Sequence, residues 1–233
     1  MTSPITAIQY GNNADLIDVV RRLYPLDGPV LDLTYGVAGG FWKVFRPADL
    51  TAFGPTDGVD FTDTLLPVAS FRHVVFDPPY VAPGGRSTST IGAMNDRYGM
   101  HTAARTPEAQ WETIKLGITE AHRLLVPNGL LWLKVMDYVS SGKVHWFTKL
   151  ALAALHDSAF ELVDEFVLAG MPGPQPRTNR DGSLRRQVHA RRAHSVLMIA
   201  RAQNRTLVRG RRRDCSSDCH LGPTGRRAAG SAS

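Results

Sequence analysis

The chain has 233 residues and a mass of 25.5 kDa, room for one domain of ordinary size and not comfortably for two. Hydrophobic residues make up 43%, enough for a buried core; no apolar run reaches the roughly 18 residues of a membrane span, and two cysteines exclude a disulfide scaffold. The net charge of +6 is uneven, with −5 over residues 1–167, +5 over 168–200 and +6 over 201–233, so the basic character sits in two segments suited to contact with a polyanion.

In chain order, residues 13–24 place Leu16, Ile17, Val20 and Leu23 on one helical face. Pro29 to Leu33 reads as a short strand opening into the glycine-rich turn Thr34-Tyr35-Gly36-Val37-Ala38-Gly39-Gly40. A short helix is expected over Phe41 to Phe45, a strand over Leu50 to Phe53, and a clearer strand over His73 to Phe76 that runs into Asp77-Pro78-Pro79-Tyr80. Residues 81–105 show little periodicity and read as a mobile loop.

Thr106-Pro107 starts a helix, Thr as N-cap and Pro in the first turn. Its buried stripe is Trp111, Ile114, Ile118, Ala121 and Leu125. Pro127-Asn128-Gly129 turns the chain before a strand over Leu130 to Met136. A helix over Val144 to Leu155 follows, then strands over Phe160 to Val167 and His194 to Ala200. The alternation of strands and helices predicts an open, mostly parallel sheet with helices on both faces. The last two strands lack a helix between them and are expected to pair antiparallel. Residues 1–202 are expected to form the domain, and 203–233 a basic, disordered tail.

Two stretches carry chemistry. In residues 30–41 a strand enters a glycine-rich turn, where glycines permit close backbone approach to a ligand and a following helix start favours an anion. Asp32 at the strand's end suits a ligand's ammonium group. The spacing is not G-x-G-x-x-G, which weighs against a dinucleotide site. In the second stretch, two consecutive prolines remove two donors and fix φ, so Asp77-Pro78-Pro79-Tyr80 is a stiff turn. Asp77 can accept a hydrogen bond from an exocyclic amino group, and Tyr80 offers a flat face to a base.

Together the two stretches resemble the cofactor loop and catalytic motif of S-adenosylmethionine-dependent DNA amino-methyltransferases, the N6-adenine and N4-cytosine enzymes of the D-P-P-Y type. The resemblance covers about residues 8–200. It implies a Rossmann-like class I methyltransferase fold with an antiparallel last strand. It also implies methyl transfer from S-adenosyl-L-methionine to a base amino group in DNA, with Asp77 tilting the choice to adenine N6. Carried over residue by residue, Asp77, Pro78, Pro79 and Tyr80 are the catalytic set: Asp77 and the Pro78 carbonyl accept from the target amino group, and Tyr80 stacks on the extruded base. Asp32, Thr34, Gly36 and Gly39 fall in the cofactor turn, which reads G-x-x-G-G where the family commonly has G-x-G. Asp57, with Asp49 behind it, is the candidate for the cofactor ribose, and Asp60-Phe61 for its adenine. Asn12 stands where the family touches the methionine end; helix capping is the competing role.

Nucleic-acid contacts are expected from loops: Arg86 after the catalytic motif, and Arg177, Arg180, Arg185 and Arg186 in the basic segment. Cys215, Cys219 and His220 make a poor zinc set, so no metal is expected, and no membrane partner. Met1 to Ile5 lacks a signal-peptide pattern and the cysteine usage fits a reducing compartment, so a cytoplasmic protein is expected. An RNA base amino-methyltransferase, a protein-amide methyltransferase and a non-catalytic nucleic-acid-binding protein of the same fold are the alternatives.

Overall fold

The structure is a computed structural model that describes residues 4–36, 39–54, 57–79, 106–170, 181–183, 186–190 and 192–204. Nine strands are described: β1 (Ile8–Tyr10), β2 (Val30–Asp32), β3 (Leu50–Ala52), β4 (Phe71–Phe76), β5 (Leu125–Val135), β6 (Tyr138–Ser140), β7 (Lys143–His145), β8 (Phe160–Ala169) and β9 (His194–Ala202). The described helices are α1 (Asn13–Val20), α2 (Pro107–Leu124) and α3 (Phe147–Asp157).

Seven strands form one sheet in the order β1-β8-β9-β5-β4-β2-β3. All neighbours are parallel except β9, which runs antiparallel to both β5 and β8. This is the expected doubly wound, Rossmann-like α/β sheet with an antiparallel last strand. Strand side chains alternate between faces, and the core divides accordingly. Leu16, Ile17 and Val20 of α1 pack on Val30, Val75, Trp132 and Ile199. Ile114 and Ile118 of α2 and Ala151 and Leu155 of α3 pack on Leu31, Val74, Leu131, Leu133 and Met198 on the other face.

The strand order reverses at β2, whose parallel neighbours β3 and β4 lie on opposite sides. The crevice outside the carboxyl ends of β2 and β4 is therefore a topological switch point, where sheets of this kind bind ligands. Asp32 ends β2 and Asp77 follows β4, so both sequence motifs open into the same crevice.

Several elements differ from expectation. The first helix ends at Val20, not Tyr24: Leu23 is exposed, in a turn with bonds to residues three back, and Pro25 follows. Phe41 to Phe45 forms turns and no helix. Phe41 and Trp42 are both buried, and two adjacent residues cannot both occupy the middle of one narrow helical face. Val144 and His145 belong to β7, not to a helix. The Ser141-Gly142 pair takes positive φ at both positions (51° and 76°), joining β6 and β7 in a two-residue hairpin. β1 was not expected; it adds to the edge of β8. The Pro127-Asn128-Gly129 turn survives as an irregularity inside β5, with Asn128 at φ 63° and a register shift opposite Phe71 and His73.

The expected loop over 81–105 and almost all of the expected tail lie outside the described residues. Gln203, assigned to the tail, donates its backbone N–H to Ala159 and its side-chain amide to Glu161. No described helix is long and apolar enough to cross a membrane.

Candidate active site

The crevice is built around two carboxylates. Asp32 is fully enclosed: its Oδ1 accepts the Thr34 backbone N–H at 2.9 Å and its Oδ2 the Trp42 indole N–H at 2.7 Å. Trp42 is thus drawn back to the end of β2 by its one polar atom. Burial pushes the Asp32 carboxyl up to about 6, and the neighbouring Asp77 charge adds to the rise against the two hydrogen bonds.

Asp77 is joined to the same turn. Its backbone N–H donates to Thr34 Oγ1 at 2.8 Å, so Thr34 ties the cofactor-type turn to the D-P-P-Y turn. Lys134 near the end of β5 donates to Asp77 Oδ1 at 3.2 Å, and Asn13 in the first turn of α1 approaches Oδ2 at 3.5 Å. The Lys134 side chain is 1% exposed. The register pairs Phe76 with Leu133, so the next residues along, Asp77 and Lys134, emerge side by side. Pro78 and Pro79, which follow Asp77, are buried.

The glycine turn closes on itself. Gly39 N–H donates to the Gly36 carbonyl at 2.8 Å, and Trp42 N–H to the Gly39 carbonyl at 2.9 Å. Gly39 has φ 55°, and a Cβ there would stand 2.7 Å from the Tyr35 hydroxyl, so the position favours glycine twice over.

The ribose and adenine candidates are less directly engaged. Asp57 lies just past β3, exposed, and its Oδ2 accepts Gly54 N–H at 2.6 Å, closing its own turn. Asp49 precedes β3 and pairs through its carbonyl with Val30 N–H, which places it at the amino ends of the strands, away from the crevice. Asp60 caps the Thr62 backbone and hydroxyl at 2.8 and 2.7 Å. Phe61 is half-buried, its ring 5.3 Å from that of Phe76. The segment is anchored by Thr64, whose N–H and hydroxyl donate to Glu120 Oε1 on α2 at 3.0 and 2.6 Å. Arg123 donates to Glu120 and to the Leu66 carbonyl. Burial alone would raise the Glu120 carboxyl, but the Arg123 and Thr64 bonds outweigh it and hold it at about 2.

Asn12 caps α1, its Oδ1 accepting from Ala14 and Asp15 N–H while Asp15 returns a bond to Asn12 N–H; the capping role is the one its contacts show. The structure therefore brings Asp32, Thr34, Gly36, Gly39, Asp77, Pro78 and Pro79 together. Tyr80, Arg86, Arg177, Arg180 and Arg185 lie outside the described residues, as do Cys215, Cys219 and His220, and Arg186 is exposed. Lys134, Asn13 and Trp42 were not singled out in the sequence. A lysine inside the apolar run Leu130-Leu131-Trp132-Leu133-Lys134-Val135 is the signal that could have found the first, since a buried lysine requires a partner.

The donor set fits a cationic ligand. Asp32 and Asp77 bring two carboxylates to the same strand ends, with Lys134 paired to Asp77 and the Arg46 charge acting on Asp32, and the Asp32 carboxylate suits an ammonium or sulfonium group.

No family model matches the chain, and no curated protein matches it. Among solved structures it is similar to a candidate DNA modification methylase from Thermus thermophilus, at 19% identity and TM-score 0.40, covering 62% of this chain and 52% of that one. It thus spans about half the length of that protein. It is also similar to a candidate methyltransferase from Bacillus halodurans, at 13% identity and TM-score 0.48, covering 81% and 99%. A third is the 1,6-didemethyltoxoflavin-N1-methyltransferase of Burkholderia thailandensis, solved with S-adenosylhomocysteine, at 14% identity and TM-score 0.44, covering 82% and 78%. The fold assignment rests on this chain's own strand order and register.

Proposed function

We propose that this chain transfers a methyl group from S-adenosyl-L-methionine to an exocyclic amino group of a base in DNA, adenine N6 before cytosine N4. One observation carries the reading: Thr34 joins the two motifs directly, so the Asp77 turn stands beside the Asp32 turn at the switch point. A ligand held by the glycine turn and an amine held by Asp77 would be neighbours.

The cofactor's contribution is an electrophilic methyl whose transfer leaves a neutral thioether. Asp32 and the Gly36–Gly39 turn orient the methionine end, with Phe61 and Asp60 beside the adenine and Asp57 near the ribose. Base amino nitrogens are weak nucleophiles because their lone pair is delocalised into the ring. Asp77 and the Pro78 carbonyl accept the two N–H groups and favour a tetrahedral nitrogen with its lone pair free. A carboxylate has about four acceptor sites, so Asp77 can hold Lys134 and the target amine together. The methylated nitrogen then loses one proton to solvent water, which restores a neutral secondary amine. Positioning and electrostatics supply most of the acceleration.

The test is methyl transfer from labelled S-adenosylmethionine to unmethylated DNA and to bulk RNA, followed by mass analysis of the nucleosides. Label as N6-methyldeoxyadenosine is the expected result. Label confined to ribonucleosides would move the reading to RNA, and no label in either would overturn it.

A further inference from the structure

We infer that Trp146, with Lys149 and Arg192 against its ring, forms a phosphate-binding edge of the active-site rim that holds the backbone of the nucleic-acid strand. The inference rests on the substrate reading above.

The topology puts this cluster on the correct side. β9 is antiparallel to both β5 and β8, so β5 and β8 run in the same direction as β4. The chain leaving β5, which makes the β6–β7 hairpin, and the segment between β8 and β9 therefore emerge at the same rim as Asp77. Gly170 N–H donates to the Ala193 carbonyl at 3.1 Å, closing the base of that segment.

Two stretches, the start of α3 and the entry to β9, meet at Trp146. Lys149, one turn into α3, places Nζ 4.3 Å from the Trp146 ring centre. Arg192, entering β9, places its guanidinium carbon 4.5 Å from the same ring. The His189 ring lies 2.8 Å from the Gly142 carbonyl at the hairpin turn. The ring is 40% exposed.

Cations held on an aromatic face are ordered but keep their charge. Among the described residues, neither Lys149 nor Arg192 is within ion-pair distance of a carboxylate, and the same holds for Lys143, exposed in β7. Asp137, the adjacent acid, is buried and spent on the Thr148 N–H and hydroxyl at the start of α3. The result is a pre-ordered positive edge with an aromatic centre, on the same rim of the sheet as Asp77. A phosphodiester chain fits it through charge, and its bases through the ring.

The experiment uses the full chain and a fluorescein-labelled single-stranded deoxyoligonucleotide, with affinity followed by anisotropy between about 50 and 200 mM salt. Lys149→Glu with Arg192→Glu is expected to weaken binding at least tenfold. Loss of two phosphate contacts should flatten the slope of log affinity against log salt by about 1.4. Trp146→Ala should give a smaller loss, and Trp146→Phe should restore binding. Trp146 makes no side-chain cap bond to α3, so both substitutions leave the helix start intact, and unchanged cofactor affinity confirms the fold. Oligonucleotide binding that these variants leave unchanged overturns the inference alone. Equal competition by polyglutamate overturns it in favour of an acidic protein partner. A wild-type chain that binds no oligonucleotide overturns the inference and the substrate reading together.

Discussion

Lys134 Nζ lies 3.2 Å from Asp77 Oδ1, on a side chain that is 1% exposed. The residue that opens the D-P-P-Y turn is thus fixed by a cation from the adjacent strand. A buried ammonium is tolerated only when paired, so Asp77 serves the fold and the proposed chemistry at once.

That dual role separates two variants. Asp77→Ala takes a carboxylate partner from the buried Lys134, and breaking a buried pair in this way costs about 3–5 kcal/mol. Removing both charges, in Asp77→Ala with Lys134→Met, should recover most of that stability. Chemical denaturation of the two variants checks it; equal stability of the single and double variants would show that the pair is not coupled.

Asp32 carries a pH signature. Its carboxyl is raised from 3.8 to about 6 in the folded chain. A raised acid favours the fold when protonated, so this stabilisation is complete below about pH 4 and is lost as pH rises through about 6, by roughly 3 kcal/mol. A cationic ligand reverses the balance by favouring the ionised form. S-adenosylmethionine should therefore bind more tightly as pH rises from about 5 to 7, with proton release near pH 6. Calorimetry in buffers of different ionisation enthalpy reads that proton, and an affinity flat across the range would remove Asp32 from the cofactor's cationic end.

The fold was legible in the sequence where periodicity was strong. The α2 stripe from Trp111 to Ala121 and the strands near Val30, Phe160 and His194 stand where the pattern puts them, while the strand expected from His73 starts two residues earlier at Phe71 and Leu125, counted in the helical stripe, opens β5. It was less legible where tertiary contacts decide. Trp42 bends Phe41–Phe45 out of a helix by bonding to Asp32, and β1 exists only because β8 offers it an edge. At the candidate site, Asp32 and Asp77 were visible as motif residues. Lys134 was not, because its partner lies 57 residues away, a pairing that only the register of β4 and β5 creates.

The Glu120 cluster anchors the Asp60-Phe61 segment from behind. Its carboxyl, held at about 2, stabilises the fold above the unfolded value of 4.5, and the contribution is lost as pH falls through about 2. Glu120→Ala leaves Thr64 and Arg123 without their acceptor and should cost about 2 kcal/mol. Cofactor affinity should fall as well, because Phe61 is no longer held. A thermal melt with parallel binding titrations checks both, and lost stability with unchanged affinity would detach this segment from the cofactor.

Gly117 in α2 lies under Phe76 and Phe61: a Cβ would sit 2.8 Å from Phe76 Cε1 and 3.1 Å from Phe61 Cδ2. Alanine gains about 1 kcal/mol of helix propensity, but overpacking a core costs about 1–3 kcal/mol. Phe76 is fully buried and has nowhere to go. Gly117→Ala is expected to be destabilising overall and to weaken cofactor binding through Phe61. A raised melting temperature would contradict this packing account.

The most direct measurement is transfer of labelled methyl to an adenine-containing DNA by the wild-type chain and by the charge-removed Asp77→Ala, Lys134→Met variant, with S-adenosylmethionine affinity measured on both. The account predicts label on adenine N6 for the wild type. For the variant it predicts no transfer, with cofactor affinity within a few-fold of the wild type. Transfer that persists without Asp77, or loss of cofactor binding in its place, would contradict the assignment of Asp77 to the target amine.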